Sequence, residues 1–406
     1  MGETLRGKAA IVGFGDSYAD EAHKKTPLHL AAQATRAALQ DAGLRKDDLD
    51  GLLTGREPSA DARWMWNTIF AAYVKITPQY STQVNIHSAG INAMLKHAAA
   101  AVHTGLAKHV LCVSTDAAPL WIDPVKITPE IDADPQFELP YGPIIPALYA
   151  QAARRYMYEF GITEEHLARV AVSAQDWAIH HPYAAKAKFG KITMETVMNS
   201  RMIASPLRLW HCAMWGPGGT GGAFIVTTSE RAQDMTDHPI YILGSGECVT
   251  HEYITDRLAL RSSLLPLGKL PNITTTGAKI AAQRAYAMAE MGPWDADIVQ
   301  TAGNFAHVPL LMLEDLGFCE KGGAGSFVDA GHIDFDGGDL PFNTNGGWLS
   351  FGQPGTNCVG DSLVEAVRQL RGCALGKQVP GAKRALIHGL GGMLACHSVT
   401  ILGTER

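Results

Sequence analysis

The chain is short of net charge, of long apolar runs and of paired cysteines, and each shortage removes a class of function. Its formal net charge is -6 and only 18% of its residues are charged. No global basic field is therefore present to hold nucleic acid or an anionic membrane. No apolar stretch approaches the roughly 18 residues of a membrane-spanning helix, so membrane insertion is not expected. Residues 1–8 lack a signal-type apolar core, and Gly2 lacks the Ser/Thr spacing of a myristoylation site, which makes the cytoplasm the expected location. The seven cysteines (112, 212, 248, 319, 358, 373 and 396) include no Cys-x-x-Cys pair. That spacing argues against a disulfide framework and against a zinc site within this chain. Low-complexity tracts and flexible linkers are also missing.

Glycine, by contrast, is abundant at 42 of 406 residues, as suits many tight strand-to-helix turns. The length fits two similar-sized halves. Strands and helices alternate: residues 8–13 form a short apolar run, and 30–41 carry Ala and Leu at helical spacing between Thr26-Pro27 and Gly43. A second strand follows at 51–54, an Ala-rich helix at 91–103 and a buried strand at 109–113. This alternation predicts a mostly parallel sheet covered by helices.

The pattern then recurs. Leu30-Ala31-Ala32-Gln33 reappears as Ile280-Ala281-Ala282-Gln283, and Val12-Gly13-Phe14-Gly15 as Leu243-Gly244-Ser245-Gly246. Asp48-Leu49 matches Asp297-Ile298. Val84-Asn85 with Gly90 parallels Phe342-Asn343 with Gly346-Gly347. Each of the last two sites should open a helix stopped by glycine (Gly105, Gly372) before a strand at 109–113 or 384–388. Matches in the same order predict a duplicated βα unit, with halves at 1–235 and 236–406. A Pro-rich, aromatic insertion at about 115–220 should cover the substrate.

Several further passages carry a family likeness: Phe137-Glu138-Leu139-Pro140-Tyr141-Gly142, His181-Pro182-Tyr183-Ala184, Ser205-Pro206-Leu207-Arg208, Leu313-Glu314-Asp315-Leu316-Gly317-Phe318-Cys319 and Gln369-Leu370-Arg371-Gly372. Along nearly its whole length the sequence resembles the thiolase superfamily, in the branch of sterol-carrier-protein thiolases and lipid-transfer proteins. The resemblance implies an α/β thiolase fold of five αβαβα layers, an active site where the halves meet, and a coenzyme A thioester as substrate. It also implies a homodimer and, for many relatives, a small OB-fold zinc-ribbon partner giving a heterotetramer. Coenzyme A enters as part of the substrate, and no separate cofactor is expected.

The catalytic positions of that family are altered. Its nucleophilic cysteine follows a Val-Asn pair, where this chain has Val84-Asn85-Ile86-His87, so His87 stands in its place with no cysteine within twenty residues. The Gly-His-Pro motif is Gly352-Gln353-Pro354. Gln353 keeps a hydrogen-bond donor but cannot exchange protons near neutral pH. The Asn-Glu-Ala-Phe motif reads Ala302-Gly303-Asn304-Phe305, leaving Asn304 and the nearby His307 as polar groups. The second cysteine, a base in the family, corresponds to His388 before Gly391 and Gly392, whose backbone amides can approach a ligand. Retro-aldol cleavage of a β-hydroxyacyl-CoA fits these residues, with His388 as base, His87 and Gln353 as donors to the enolate, and Asn304, His307, Gly391 and Gly392 around the substrate. Lyases of this kind among the lipid-transfer relatives place tyrosines at the positions of Ala302 and Gln353, and this chain has neither. Two alternatives stand beside this reading: a catalytically silent CoA-ester-binding subunit, and acyl transfer by an atypical nucleophile such as Cys358.

Overall fold

The computed structural model describes residues 4–122, 133–216, 218–257, 270 and 272–406. In chain order the first half contributes β1 (Ala9–Ala19), α1 (Pro27–Asp41), β2 (Gly51–Thr54), α2 (Trp66–Val74), β3 (Tyr80–Gln83), α3 (Gly90–His103) and β4 (Val110–Asp116). There follow α4 (Ile145–Phe160), α5 (Glu164–Ala178), a small ribbon of β5 (Met202–Ala204) and β6 (Leu207–Arg208), and then β7 (Gly219–Thr228). The remainder contributes β8 (Ile240–Val249), α6 (Ala278–Ala289), β9 (Ile298–Gln300), α7 (His307–Asp315), α8 (Cys358–Leu370), β10 (Arg384–Gly391) and β11 (Cys396–Gly403).

Nine strands form one sheet in the order β3-β2-β4-β7-β1-β8-β11-β10-β9. Its centre is a short seam, Ala10 opposite Tyr241 and Ile11 opposite Ile240, that joins two half-sheets of the same plan. On one side β2 pairs in parallel with β3 and β4. On the other, β9 pairs in parallel with β10 and makes a parallel bridge from Val299 to Phe342, the counterpart of β3. The helices α1 and α6 cover the outer faces, while α3 and α8 each touch strands of both halves. The result is the αβαβα layering that the family resemblance implies. The sheet, however, is mixed rather than mostly parallel: β4–β7, β7–β1, β1–β8, β8–β11 and β11–β10 all pair antiparallel, so the expectation of a mostly parallel sheet is corrected.

The paired glycine motifs have a common physical cause. A Cβ on Gly13 or Gly15 would lie 2.3 or 2.2 Å from the carbonyls of Ala38 or Ala34 in α1. One on Gly244 or Gly246 would lie 2.4 or 1.9 Å from those of Ala285 or Ala281 in α6. In both halves a helix thus sits directly on the strand backbone, where only glycine fits, and Ala on the facing helix surface keeps the approach close. Thr26 caps α1 as expected, its hydroxyl accepting from the N–H of His29 at 3.3 Å.

The start of the second half's long helix also differs from expectation. Gly346-Gly347 opens only a four-residue turn, and the helix matching α3 begins at Cys358. The residues between them form the loop that carries Gln353. Buried side chains tie the halves together: the Asn92 amide donates to the carbonyl of Ile387 at 3.0 Å, and the Ser398 hydroxyl to that of Ala89 at 2.9 Å. Between β4 and β7, α4 and α5 rest on the second half. There the Tyr156 hydroxyl donates to Glu314, and Ser173 donates to the Ile333 carbonyl at 2.6 Å.

Candidate active site

Sheets of this kind place ligands beyond the carboxyl ends of their strands. A cavity of about 590 Å³ lies there, lined from both halves and from the segment between β4 and β7. The first half contributes the loop after β2, with Arg56, Glu57 and Ser59, and the turn before α3, with His87. The second contributes Asn304, Phe305, Gln353, Gly392 and Met393. Ile144, Tyr149, Cys212 and Trp215 close the cavity from the intervening segment.

His87 is held in an unusual backbone state, φ +55°. The turn that carries it packs against Gly391, where a Cβ would sit 2.3 Å from the Ile86 carbonyl and 2.8 Å from the His87 Cβ. One role of Gly391 is therefore to let β10 reach the mouth of α3. The ring Nδ1 lies 3.1 Å from the Ser88 hydroxyl. Burial, with a smaller push from the Arg56 charge, lowers its pKa to about 4. At neutral pH His87 is an uncharged imidazole, able to hydrogen-bond a neutral thioester.

Asn304 is only 6% exposed, and its side-chain oxygen has no partner among the described residues. Its backbone is fixed instead: the Asn304 carbonyl accepts from Ala213 at 2.8 Å and that of His211 from Ala306 at 2.8 Å. A buried acceptor without a partner costs about 1–3 kcal/mol, so this cavity-lining oxygen is poised to accept from a ligand, while the Nδ2 amide is the donor Asn304 can offer. Gln353 is positioned by its backbone N–H, which donates to the Met214 carbonyl at 2.9 Å. The Tyr149 hydroxyl donates to the Gly392 carbonyl at 3.2 Å, and its ring packs against Phe305 at 4.7 Å. His87, Gln353, Asn304 and Gly392 thus come together on one cavity.

Gly391, expected beside the substrate, packs behind the His87 turn and does not line the cavity; His388 and His307 do not join them either. Both are fully buried and neither lines the cavity. The N–H of Ala302 donates to Nδ1 of His388 at 3.4 Å, which makes Nε2 the protonated nitrogen. Nε2 then donates to Nδ1 of His397 at 3.0 Å, and His397 Nε2 to the Leu394 carbonyl at 3.1 Å. Every lone pair and proton of His388 is used, and burial pushes its pKa well below the usual imidazole value. It cannot serve as the base, because a base needs a free lone pair facing the substrate. The expectation of a catalytic His388 is corrected to a structural one: at this position on β10 the side chain turns into the core. His307 opens α7 inside the core, stacked beside Phe305, with its pKa lowered by burial to about 3. Its expected place around the substrate is likewise corrected.

Cys358 fails as a nucleophile for a related reason. Its thiol is 1% exposed, donates to the Gly355 carbonyl at 2.8 Å, and is pushed well above the usual thiol pKa by burial. Among the described residues the cavity wall holds one cysteine, Cys212. Its thiol donates to the Arg208 carbonyl at 3.4 Å and is pushed up to about 12 by burial. Thiolate chemistry needs the opposite shift.

Tyr149 belongs to the aromatic insertion expected to cover the substrate, whereas Arg56, Glu57 and the residue that holds this wall in place are not among the expected site residues. Asp116, fully buried at the end of β4, accepts from the N–H groups of Ser59 (2.8 Å), Ala60 (3.2 Å), Ala117 (2.7 Å) and Thr356 (2.8 Å), and from the Thr356 hydroxyl (3.1 Å). One carboxylate thereby clamps the Arg56–Glu57 loop to the loop that follows Gln353. The signal for the first pair was legible: Gly55-Arg56-Glu57-Pro58 directly follows the apolar strand β2, where α/β sheets place functional loops. Among the described residues there is no cluster of three or more His, Cys, Asp or Glu able to hold a metal ion, and no helix long and apolar enough to cross a membrane.

Comparison with known proteins places these features in context. The family described as Thiolase C-terminal domain-like matches residues 262–404. An acetyl-CoA acetyltransferase of Methanothermobacter thermautotrophicus is 32% identical over 390 residues, covering 94% of this chain and 96% of its own. A 17-hydroxy-3-oxo-4-pregnene-20-carboxyl-CoA lyase of Mycobacterium tuberculosis is 34% identical over 395 residues, 94% of this chain and 96% of its own. Among solved structures, an Ltp2-ChsH2(DUF35) aldolase superposes with a TM-score of 0.83 at 29% identity, covering 99% of both chains.

Proposed function

The chain belongs to the thiolase superfamily, in its sterol-carrier-protein thiolase branch, and from that premise we propose that it is a carbon–carbon lyase cleaving β-hydroxyacyl-CoA esters by a retro-aldol route. One observation carries the reading. The cavity wall presents a carboxylate and several neutral donors, while its cysteine is held as a thiol far from thiolate character. A covalent acyl-enzyme on sulfur needs the thiolate, whereas a retro-aldol needs only a base and an oxyanion site.

Glu57 takes the role first given to His388. Its carboxylate lines the cavity with no hydrogen bond or ion pair among the described residues. It removes the proton of the β-hydroxyl, the oxygen lone pair closes to a carbonyl, and the Cα–Cβ bond breaks. The bonding pair passes into the thioester as an enolate, whose oxygen accepts from the His87 imidazole and from the side-chain amide N–H groups of Asn304 and Gln353. Return of the proton to Cα gives a shortened acyl-CoA and an aldehyde or ketone. No redox step or external thiol enters. The expected setting is a cytoplasmic homodimer with an OB-fold zinc-ribbon partner and no cofactor beyond the CoA of the substrate. The aldolase in complex with a DUF35 protein supports the partner, and the lyase of Mycobacterium tuberculosis supports the substrate class.

The test is mass spectrometry of products from a panel of β-hydroxyacyl-CoA esters, with and without added free CoA. Equal amounts of acyl-CoA and carbonyl product without free CoA are expected. Cleavage that starts only when free CoA is added would establish thiolysis instead.

A further inference from the structure

The cavity holds a cation that the reaction just described does not use. Arg56 is half-buried on its wall. It has no ion pair or hydrogen bond among the described residues, although Arg45, Arg63, Arg155, Arg208 and Arg368 all engage carboxylates. Its neighbour Glu57 does not pair with it. The loop that carries it is not free to swing away, because Asp116 holds the backbone of Ser59 and Ala60. A guanidinium partly withdrawn from water, anchored at its base and left without a counter-charge, is a site prepared for an anion.

We propose that Arg56 selects acyl-CoA esters whose acyl chain carries a carboxylate, an inference that rests on the CoA-ester reading above and names its substrate class. Two anions could reach a cationic residue in such a site: a carboxylate on the acyl chain or the phosphates of coenzyme A. The placement favours the first. Arg56 and His87 line the same cavity, both contributed by the first half, so the guanidinium sits at the reacting end of the substrate. The phosphates lie a full pantetheine arm away. Phe305, Ile144 and Met393 provide apolar surface on the same cavity for the carbon chain between thioester and carboxylate. The planar fork of arginine matches a carboxylate through two parallel hydrogen bonds, which a lysine cannot reproduce.

Titration calorimetry with succinyl-CoA, butyryl-CoA and free CoA separates the two sources. The wild-type protein should bind succinyl-CoA about tenfold more tightly than butyryl-CoA, the worth of one charge-assisted contact. Arg56→Met should abolish that preference by weakening succinyl-CoA alone. Arg56→Lys, which keeps the charge and the volume of the loop, should retain only part of it. Equal weakening of all three ligands in Arg56→Met would assign the residue to the CoA phosphates and overturn the proposal, as would a wild-type protein with no preference. Failure of the lyase reading is distinct: it appears as absent cleavage with the binding preference intact.

Discussion

The loops that follow β2 and β9 occupy matching places in the two halves, and they have taken opposite chemical characters. After β2 come Arg56 and Glu57, both on the cavity wall and both without partners among the described residues. After β9 come Ala302, Gly303 and Asn304, with His307 driven into the core behind them. The same division separates the two histidines that the resemblance sets at the family's cysteine positions. His87 opens onto the cavity beside α3, while His388 is sealed into a closed chain of hydrogen bonds. A duplicated fold has thus kept its ionisable chemistry in one half and reduced the other to neutral donors and a rigid wall.

Substitutions in the two halves should therefore differ in what they change. Glu57→Gln should have the largest effect, lowering kcat by about a thousandfold with KM nearly unchanged, since it removes general-base catalysis but not substrate contact. Initial-rate kinetics on a cleavable β-hydroxyacyl-CoA check it. Asn304→Ala, a donor change in the second half, should lower kcat by about a hundredfold, read in the same assay. The ionisable groups of the second half should announce themselves through stability instead. An unfolded imidazole gains its proton near pH 6.5, whereas His307 and His397 in the fold gain theirs only near pH 3. Between those values the unfolded chain binds more protons, so stability falls as pH falls from 6.5 toward 3. Replacing His307 by Phe should flatten the decline by about 1.4 kcal/mol per pH unit, measured by denaturant unfolding between pH 4 and 6.5. Smallest of all, Cys212→Ser should leave turnover within about twofold, because a thiol held near pKa 12 supplies no nucleophile.

Much of the architecture was legible because its causes are local. Gly13 and Gly15 with Gly244 and Gly246, set against Ala-rich helices, record where strand and helix backbones touch, and that pairing revealed the duplication. His87 was legible from its place in the turn before α3. The fate of His388 was not: the residues around it name a strand end, but only the three-dimensional position of Ala302 and His397 shows that both nitrogens are spent. Nor could Asp116 be recognised, since its role depends on bringing residues 59–60 and 356 to one carboxylate across long separations in sequence. Arg56 and Glu57 were available to a reading of the loop after β2, yet charge in a loop is ordinary until a cavity is seen beside it. The later start of α8 is of the same kind: Asn343 and Gly346-Gly347 look like a helix opening, and the intervening loop with Gln353 is needed only because a cavity must be walled.

The most direct test of chemistry without a sulfur-bound intermediate is intact-protein mass spectrometry of the enzyme quenched during turnover. A protein of unchanged mass is expected while shortened acyl-CoA accumulates. An acyl adduct that forms and decays at the rate of turnover, mapped to Cys212 or Cys358, would contradict it.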